Sequence, residues 1–260
     1  MKIITWNINS VRLRQGLVLR LLEEQQPDVL CLQETKCPDE AFPGDVFRDA
    51  GYPHQAIRGE KGYNGVAVLA RIPIAAHDHL NWVGREDCRH QRVEFSNGVS
   101  VHNFYIPAGG DVPDRETNAK FGHKLDFLEE LAAWTGDQAD KPQVLVGDLN
   151  IAPGEDDVWS HKQLLRIISH TPVETEGLSR IMTAGQWTDA VRQMIPEGKL
   201  YSWWSYRARD WDAADKGRRL DHIWVTPPLA DRVRHAEILR PARGWEQPSD
   251  HAPVVAVIEA

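Results

Sequence analysis

The chain has 260 residues, of which 42% are hydrophobic and 26% are charged, and this composition is ordinary for a globular domain. Its formal net charge of −8 argues against a protein that coats nucleic acid nonspecifically, although a local basic rim could still bind phosphates. Three cysteines without metal-binding spacing, apolar runs no longer than a strand and no basic-then-apolar start predict a cytoplasmic protein with reduced thiols, without a secretory signal or membrane segment.

Nine elements are predicted from apolar periodicity. In chain order they are a strand at Ile3–Trp6, a helix with Leu13, Leu17, Leu21 and Leu22 that ends before Pro27, strands at Asp28–Gln33, Val66–Ala70 and Val99–Ile106, a helix with Phe121, Leu125, Leu128 and Leu131, and strands at Gln143–Gly147, His222–Thr226 and Pro253–Ile258. Polar loops are predicted at Pro107–Thr117, Ala152–Ser160 and Arg207–Arg219. Because no repeat or linker divides the chain, we expect a single catalytic domain over residues 1–260.

The order of these elements predicts the fold class. The chain opens strand–helix–strand and then becomes rich in strands with hairpin-length spacings, which favours mixed sheets covered by helices. We expect an α+β (mixed α/β) protein built as a four-layer α-β-β-α sandwich, with two stacked mixed β-sheets flanked by helices. Periodicity alone does not choose this arrangement over a doubly wound sheet.

Acidic and amide side chains recur where a predicted strand meets a loop. They are Asn7, Glu34, Asp148, Asn150 and Asp250. Strand ends hold side chains on a rigid edge in contact with solvent, and each such residue alone is typical of a turn or a helix cap. Together they are hard oxygen donors, which suit Mg²⁺ or Mn²⁺ better than zinc. Because protein-bound Mg²⁺ usually completes its shell with water and substrate phosphate, the set indicates a phosphate ester as substrate.

An ordered series of motifs contains these residues. It consists of Trp6-Asn7, Leu32-Gln33-Glu34-Thr35-Lys36, Gly147-Asp148-Leu149-Asn150, Arg219-Leu220-Asp221 and Ser249-Asp250-His251-Ala252-Pro253-Val254. From about residue 1 to residue 258, the chain resembles the exonuclease III and abasic-site (AP) endonuclease branch of the endonuclease/exonuclease/phosphatase superfamily. Gln33–Lys36, Tyr105-Ile106-Pro107, the Trp-rich stretch Tyr201–Arg207 and the ending Pro248–Pro253 resemble the DNA-repair branch in particular.

The resemblance implies a role for each motif residue. The implied metal ligands are Asn7, Glu34, Asp148, Asn150, Asp250 and His251, holding one or two Mg²⁺ or Mn²⁺ ions. The implied catalytic residues are Tyr105, Asp148, Asn150, Asp221 and His251. Asp148 and Asn150 would orient and activate the attacking water, while Tyr105 and His251, the latter oriented by Asp221, would contact the scissile phosphate. Lys36, Trp203, Arg218 and Leu220 would bind substrate. Which of Asp148 and His251 handles the water stays open.

The activity implied by the resemblance is hydrolysis of double-stranded DNA by a monomer. It comprises cleavage 5′ of abasic sites, 3′→5′ exonuclease action and trimming of 3′ ends, in a balance that the sequence does not give. One alternative keeps the fold and changes the substrate to RNA, an inositol phosphate or a sphingolipid; the Trp-rich stretch counts against it. A non-catalytic DNA-binding scaffold is the other alternative. The complete set of carboxylates, amides and histidine counts against a scaffold, because folding does not require it.

Three features depart from the family pattern. Ser10 stands where the family often has glycine, and the loop Ala108–Thr117 is acidic where a basic DNA-side loop is expected. Arg218 occupies a position where many relatives have an apolar pocket residue, which leaves the shape of the sugar pocket open.

Further DNA contacts are expected from basic residues near tryptophans. Lys120 and Lys124 are expected on the exposed side of the second helix, where they either reach a phosphate or form part of a solvated face. The candidates around the loop before Asp221 are Arg207, Arg209, Lys216, Arg218 and Arg219, beside Trp203, Trp204 and Trp211. We expect Trp203 at the site, Trp204 in the core and His102 in a structural role.

Overall fold

The computed structural model describes residues 1–259. Its strands are β1 (Lys2–Asn7), β2 (Val29–Gln33), β3 (His54–Arg58), β4 (Val66–Ala70), β5 (Ile74–Asp78), β6 (His90–Phe95), β7 (Ser100–Tyr105), β8 (Gln143–Asp148), β9 (Thr188–Asp189), β10 (Trp203–Trp204), β11 (Gly217–Arg218), β12 (Asp221–Val225), β13 (Val233–Ile238) and β14 (Val254–Ile258). The α-helices are α1 (Gln15–Gln25), α2 (Gly44–Asp49), α3 (Ala119–Thr135), α4 (His161–Leu164), α5 (Pro172–Ala184), α6 (Ala190–Met194), α7 (Trp211–Ala214) and α8 (Pro227–Ala230). Short 3₁₀ turns lie at Asp39–Ala41, Gly136–Gln138, Glu155–Asp157 and Arg240–Gly244.

Two six-stranded mixed sheets form the centre of the molecule. The first has the order β13-β14-β1-β2-β4-β3 and the second the order β5-β6-β7-β8-β12-β9. Each sheet contains one parallel pair, β1 with β2 and β7 with β8, and its other pairs are antiparallel. Strands β10 and β11 form a separate two-stranded ribbon.

Alternation along the strands divides the apolar residues among three cores. Ile3 belongs to a cluster of small and β-branched residues contributed by both sheets, including Val101 and Ile223. Ile4 and Trp6 point the other way, into a cluster shared with the α1 residues Val18 and Leu21. A third cluster joins the second sheet to α3 and α5. Because neighbouring residues of one strand are buried on opposite faces, the two sheets stack between outer helices, and the four-layer prediction is confirmed.

The seven predicted strands are present within one or two residues of their predicted ends, and the second predicted helix is α3. The first predicted helix was placed too early: α1 begins at Gln15, and Leu13 precedes it with 62% of its surface exposed. The predicted loop Arg207–Arg219 also contains α7 and β11. Within residues 1–259, no helix is both long and apolar enough to cross a bilayer.

The sheet registers bring the ends of several strands to one edge of the sandwich. Asn7 lies beside Gln33 at the end of the parallel pair β1–β2. In the second sheet, Asp148 pairs with Tyr105 on one side and with Asp221 on the other. Since β1 also contacts β8 and β12 across the stack, the polar residues that follow these strands converge.

Candidate active site

The amide of Asn7 connects two carboxylates that are far apart in sequence. Its Nδ2 donates to Glu34 Oε1 at 2.9 Å and to Asp148 Oδ2 at 2.8 Å. Tyr105 donates its hydroxyl to the same Glu34 oxygen at 2.8 Å, and Lys36 Nζ lies 2.6 Å from Glu34 Oε2. Burial raises the pKa of the Glu34 carboxyl, but Lys36 and the Asn7 amide outweigh burial, so this pKa lies below its ordinary value. The Glu34 carboxylate is therefore anionic near neutral pH.

Three residues of the site have left-handed backbone conformations. Glu34, Lys36 and Asn150 have φ of 51°, 53° and 54°, values that non-glycine residues adopt infrequently. Each lies within three residues after the end of a strand, where the chain turns sharply. Such conformations cost of order 1–3 kcal/mol each and persist where the surrounding structure fixes them, often at functional sites.

A buried histidine lies between two carboxylates. His251 Nδ1 is 2.8 Å from Asp221 Oδ2, and its Nε2 is 3.7 Å from Asp148 Oδ2. Burial lowers the pKa of His251, but the two carboxylates outweigh burial, so this pKa lies well above the ordinary value. Burial raises the pKa of Asp148, and His251 offsets only part of that rise. The arrangement stabilises an imidazolium at the centre of the site.

Asp250 is connected to Glu34 through the side chains of Asn9 and Lys36. Its Oδ1 accepts from Asn9 Nδ2 at 3.1 Å and its Oδ2 accepts from the Trp203 indole at 2.9 Å. Asn9 Oδ1 in turn accepts from Lys36 Nζ at 2.6 Å, so Lys36 links Asp250 to Glu34. A single polar network therefore contains residues of the first and the last motif of the chain.

Part of this polar network lines a cavity of about 600 Å³. Its lining includes Glu34, Tyr105, Asn150, Trp159, Trp203, Arg207, Lys216, Arg218, Leu220, Asp250 and His251. Cavities of this size commonly hold small-molecule or nucleotide-sized ligands. Three catalytic candidates and three of the four substrate-binding candidates thus face one volume, while Asp148 and Asp221 are buried behind its wall.

The donor set of this site fits a hard divalent cation. Within residues 1–259, one group of three potential ligand residues has ligand atoms within 4.8 Å of one another, and it consists of Asp148, Asp221 and His251. The carboxylates of Glu34 and Asp250 extend this group, while Lys36 and a protonated His251 neutralise only part of the charge. The cysteine thiols do not line the cavity. Excess carboxylate oxygen without thiolate matches Mg²⁺ or Mn²⁺.

Lys124 was expected on an exposed helix face, and this prediction is wrong. The side chain is fully buried, with Nζ 2.5 Å from Glu174 Oε1 and 2.9 Å from the carbonyl oxygen of Asn150. The helical face that carries Lys124 packs against α5 instead of solvent. Lys124 therefore stabilises the loop after β8. Lys120, one helical turn earlier, is exposed.

Arg219 was expected among the DNA-contacting cations, and this prediction is also wrong. Its guanidinium is 1% exposed and donates to Asp157 at 2.7 and 3.0 Å and to Asp189 at 2.7 Å. Such a doubly paired cation fixes the chain on the buried side of the site. Its neighbours Arg218 and Leu220 face the cavity, as alternation along the chain requires.

The aromatic candidates separate as follows. Trp203 lines the cavity, while Trp204 is 2% exposed and packs on Tyr201 and Ala252. His102 is buried and stacks on His90, with His90 Nε2 3.1 Å from His102 Nδ1. His102 therefore belongs to a buried histidine pair on the interior strands β6 and β7, in agreement with a structural role.

Two serines that position the site were not among the predicted residues. Ser202 Oγ donates to Asp221 Oδ2 at 2.6 Å and accepts from the backbone N–H groups of Leu220 and Asp221, both at 3.0 Å. Ser249 Oγ donates to the Asn7 carbonyl oxygen at 2.6 Å. Both serines lie inside motifs quoted above. Their positions next to Trp203 and Asp250 were the sequence signal that could have identified them.

Comparisons with known proteins agree with this geometry. The model of the endonuclease/exonuclease/phosphatase family matches residues 4–251. The chain is 34% identical to exodeoxyribonuclease III of Haemophilus influenzae, over 98% of this chain and 99% of that protein. An AP endonuclease from Archaeoglobus fulgidus superposes with a TM-score of 0.93 at 32% identity, covering 100% of both chains. The 3′ phosphatase NExo from Neisseria, bound to a product DNA hairpin, superposes with a TM-score of 0.92 at 32% identity and the same coverage.

Proposed function

Because the chain belongs to the endonuclease/exonuclease/phosphatase family and is a nuclease of the exonuclease III type, we propose that it is a Mg²⁺-dependent DNA-repair hydrolase. It cuts double-stranded DNA 5′ of abasic sites and removes nucleotides or blocking groups from 3′ ends, acting as a monomer. One observation carries the proposal. Asp148 contacts Asn7 and Asn150, and on its other side it faces His251, which lines a cavity large enough for a nucleotide.

Asp148 is the proposed general base. Its carboxylate accepts from the Asn150 backbone N–H at 2.9 Å and from the Asn150 side chain at 3.2 Å, which fixes its orientation. In the proposed reaction, water attacks phosphorus, its proton passes to Asp148 and the bond from phosphorus to the 3′ oxygen breaks. The leaving 3′ oxygen takes up a proton from solvent and becomes a 3′ hydroxyl, while the oxygen of the attacking water stays on the released phosphate. A positioned base of this kind contributes roughly 10²–10⁴ in rate.

His251 and Tyr105 are proposed to stabilise the charge that develops on the phosphate oxygens. Both ring nitrogens of His251 face carboxylates, an arrangement that favours a proton-bearing donor over a metal ligand. Burial and Glu34 raise the pKa of the Tyr105 hydroxyl well above its ordinary value, so it remains a donor.

The metal is proposed to bind at the carboxylates around Asn7. Glu34 is the principal candidate ligand, with Asn7, Asp148, Asn150 and Asp250 as the further oxygen donors. A bound Mg²⁺ would neutralise charge on the non-bridging phosphate oxygens. Lys36 occupies one Glu34 oxygen, so its ammonium is proposed to turn toward substrate phosphate when Glu34 binds the ion.

A cleavage assay tests the proposal. Purified protein should nick a duplex with one abasic analogue on its 5′ side in Mg²⁺, leave a 3′ hydroxyl and be inactive in EDTA. Glu34→Gln should lower the rate at limiting Mg²⁺ by about 10²-fold or more, because one proposed metal-binding carboxylate is lost. Glu23→Gln, an exposed change on α1, is the control. EDTA-resistant cleavage, or faster hydrolysis of RNA or an inositol phosphate, would contradict the proposed function.

A further inference from the structure

One cation in the cavity wall lacks a carboxylate partner. Arg218 Nη1 donates to the carbonyl oxygen of Ile168 at 3.0 Å and to Ser169 Oγ at 2.8 Å. Within residues 1–259, its Nε is buried without a hydrogen-bond partner and its Nη2 makes no hydrogen bond to the protein. Nη2 therefore keeps its donors available beside the cavity that Arg218 lines.

The surroundings of Arg218 leave its charge uncompensated. Burial lowers the pKa of Arg218, and Glu174 is the carboxylate that opposes this effect. Glu174 already forms a buried ion pair with Lys124 at 2.5 Å, so that pair carries no net charge. Partial burial of a cation without a carboxylate partner is unfavourable, and a bound anion would remove this cost.

Trp203 connects this cation to the catalytic centre. The Arg218 guanidinium lies over the Trp203 ring at 5.2 Å from its centroid, and β10 and β11 pair these two residues directly. The Trp203 indole donates to Asp250, which precedes His251. The free donors of Arg218 thus lie in the same cavity as the proposed scissile phosphate and are held rigidly relative to it.

We propose that Arg218 binds a second anion of the substrate, in addition to the scissile phosphate, and thereby selects among DNA substrates. This inference rests on the proposed function. Breaking the bond from phosphorus to the 3′ oxygen releases the upstream strand, and we place the group on the other side of phosphorus in the cavity beside Arg218. Such a group supplies a second anion in two cases: the carboxylate of a 3′-phosphoglycolate end, or the phosphodiester on the 3′ side of an abasic nucleotide. A planar guanidinium suits either anion through paired N–H donors.

Matched substrates test the role of Arg218. One pair compares 3′-phosphoglycolate with its neutral 3′-phospho-2-hydroxyethyl counterpart. The second pair compares an abasic analogue followed by a normal phosphodiester with one followed by an uncharged methylphosphonate. The wild-type protein should have a higher kcat/KM for the anionic member of at least one pair. Arg218→Leu should reduce that anionic-to-neutral ratio by about 10- to 100-fold, the range expected for charge-assisted hydrogen bonds. Arg218→Lys should restore part of the ratio, because it keeps the charge without the planar fork.

Arg20→Leu is the control, since it removes an exposed arginine over Trp245 with the same change of charge, and it should leave both ratios unchanged. Loss confined to the first pair would identify the carboxylate as the anion, and loss confined to the second would identify the downstream phosphodiester. An Arg218→Leu protein that cleaves both members of each pair with unchanged ratios, while the wild-type protein cuts DNA normally, would overturn the inference and leave the proposed function intact. Failure of the wild-type protein to cleave every one of these DNAs would overturn the proposed function first.

Discussion

At the scale of single residues, the site depends on groups that hold other groups. Asp221 orients His251, and Ser202 holds Asp221 by a side-chain hydrogen bond and by its backbone N–H. Asp221 Oδ1 has no partner of its own within the described chain, so these contacts through Oδ2 and the backbone fix the carboxylate. Loss of one hydrogen bond among Ser202, Asp221 and His251 is therefore expected to affect turnover more than substrate binding.

His251→Asn should lower kcat by about 10²-fold or more, because the proposed imidazolium donor is lost. Asp221→Asn should act in the same direction more weakly, since it leaves the ring in place and removes only the negative charge that favours its protonation. Single-turnover rates and DNA-binding titrations measure the two effects. A His251→Asn protein that lost DNA binding and kept its turnover rate would show that the proposed role is wrong.

Ser202→Ala should reduce kcat by about 10-fold with little change in KM, because Asp221 loses a 2.6 Å hydrogen bond and two backbone N–H groups lose their acceptor. The pH dependence of kcat should also change if Ser202 acts through the Asp221–His251 pair. Ser202→Thr, which keeps the hydroxyl, is the rescue variant. A purely structural serine would lower the melting temperature and leave the pH profile as it was.

The motif residues could be singled out because several carboxylates and amides recur together at strand ends, although each alone is typical of a turn, and because the family resemblance ordered them. Ser202 and Ser249 were not predicted, because serine near a turn is common and its partners are distant in sequence. Lys124 and Arg219 were misassigned for a related reason. A basic side chain is normally exposed, and sequence does not reveal that Glu174, Asp157 and Asp189 lie beside these two residues in the fold.

At the scale of elements, the strands that sequence missed are mostly sheet edges. Strands β3, β5 and β13 each end a sheet, and β5 has four exposed residues in five. Edge strands keep one side in solvent and carry polar residues, which weakens the apolar signal used to predict them. Apart from β6, the interior strands were predicted because both of their faces are buried, one against the other sheet and one against helices.

Gly147 sets the approach of two central strands next to Asp148. Its φ is 139°, and a Cβ at this position would lie 1.9 Å from the carbonyl oxygen of Phe104 on the neighbouring strand. Gly147→Ala should therefore separate β7 from β8, lower the free energy of unfolding by about 3 kcal/mol or more and reduce cleavage. Gly98→Ala, with φ of 83° and open space around the Cβ, should cost only about 1 kcal/mol. If urea unfolding showed equal losses of unfolding free energy for Gly147→Ala and Gly98→Ala, close strand contact at Gly147 would not explain the destabilisation.

At the scale of the whole molecule, two buried histidines make stability depend on pH. Burial lowers the pKa of His102 to about 3, with Arg92 adding to the effect, and burial also holds the pKa of its partner His90 well below its ordinary value. The unfolded chain takes up these protons below about pH 6.5, whereas the folded protein does not. Stability is therefore fully present above that pH and falls as the pH decreases toward 3.

In His102→Gln, unfolding should take up about one proton fewer. The slope of the free energy of unfolding against pH should therefore decrease by about 1.4 kcal/mol per pH unit between pH 6 and 4. Urea unfolding at several pH values measures the slope. His77→Gln, at an exposed position of β5, is the control with the same change of side chain. Identical slopes for the wild-type protein and His102→Gln would contradict the prediction.

The pairing of β1 with β14 joins residues that are synthesised at very different times. Asn7, Glu34 and Asp148 leave the ribosome early, but Asp250 and His251 arrive about a hundred residues after Asp148, and β14 has to pair with β1 to bring them to Asn7. At translation rates of roughly 5–20 residues per second, the nascent chain spends several seconds without these two residues. A growing polypeptide therefore cannot complete the proposed hydrolytic centre until β14 has left the ribosome.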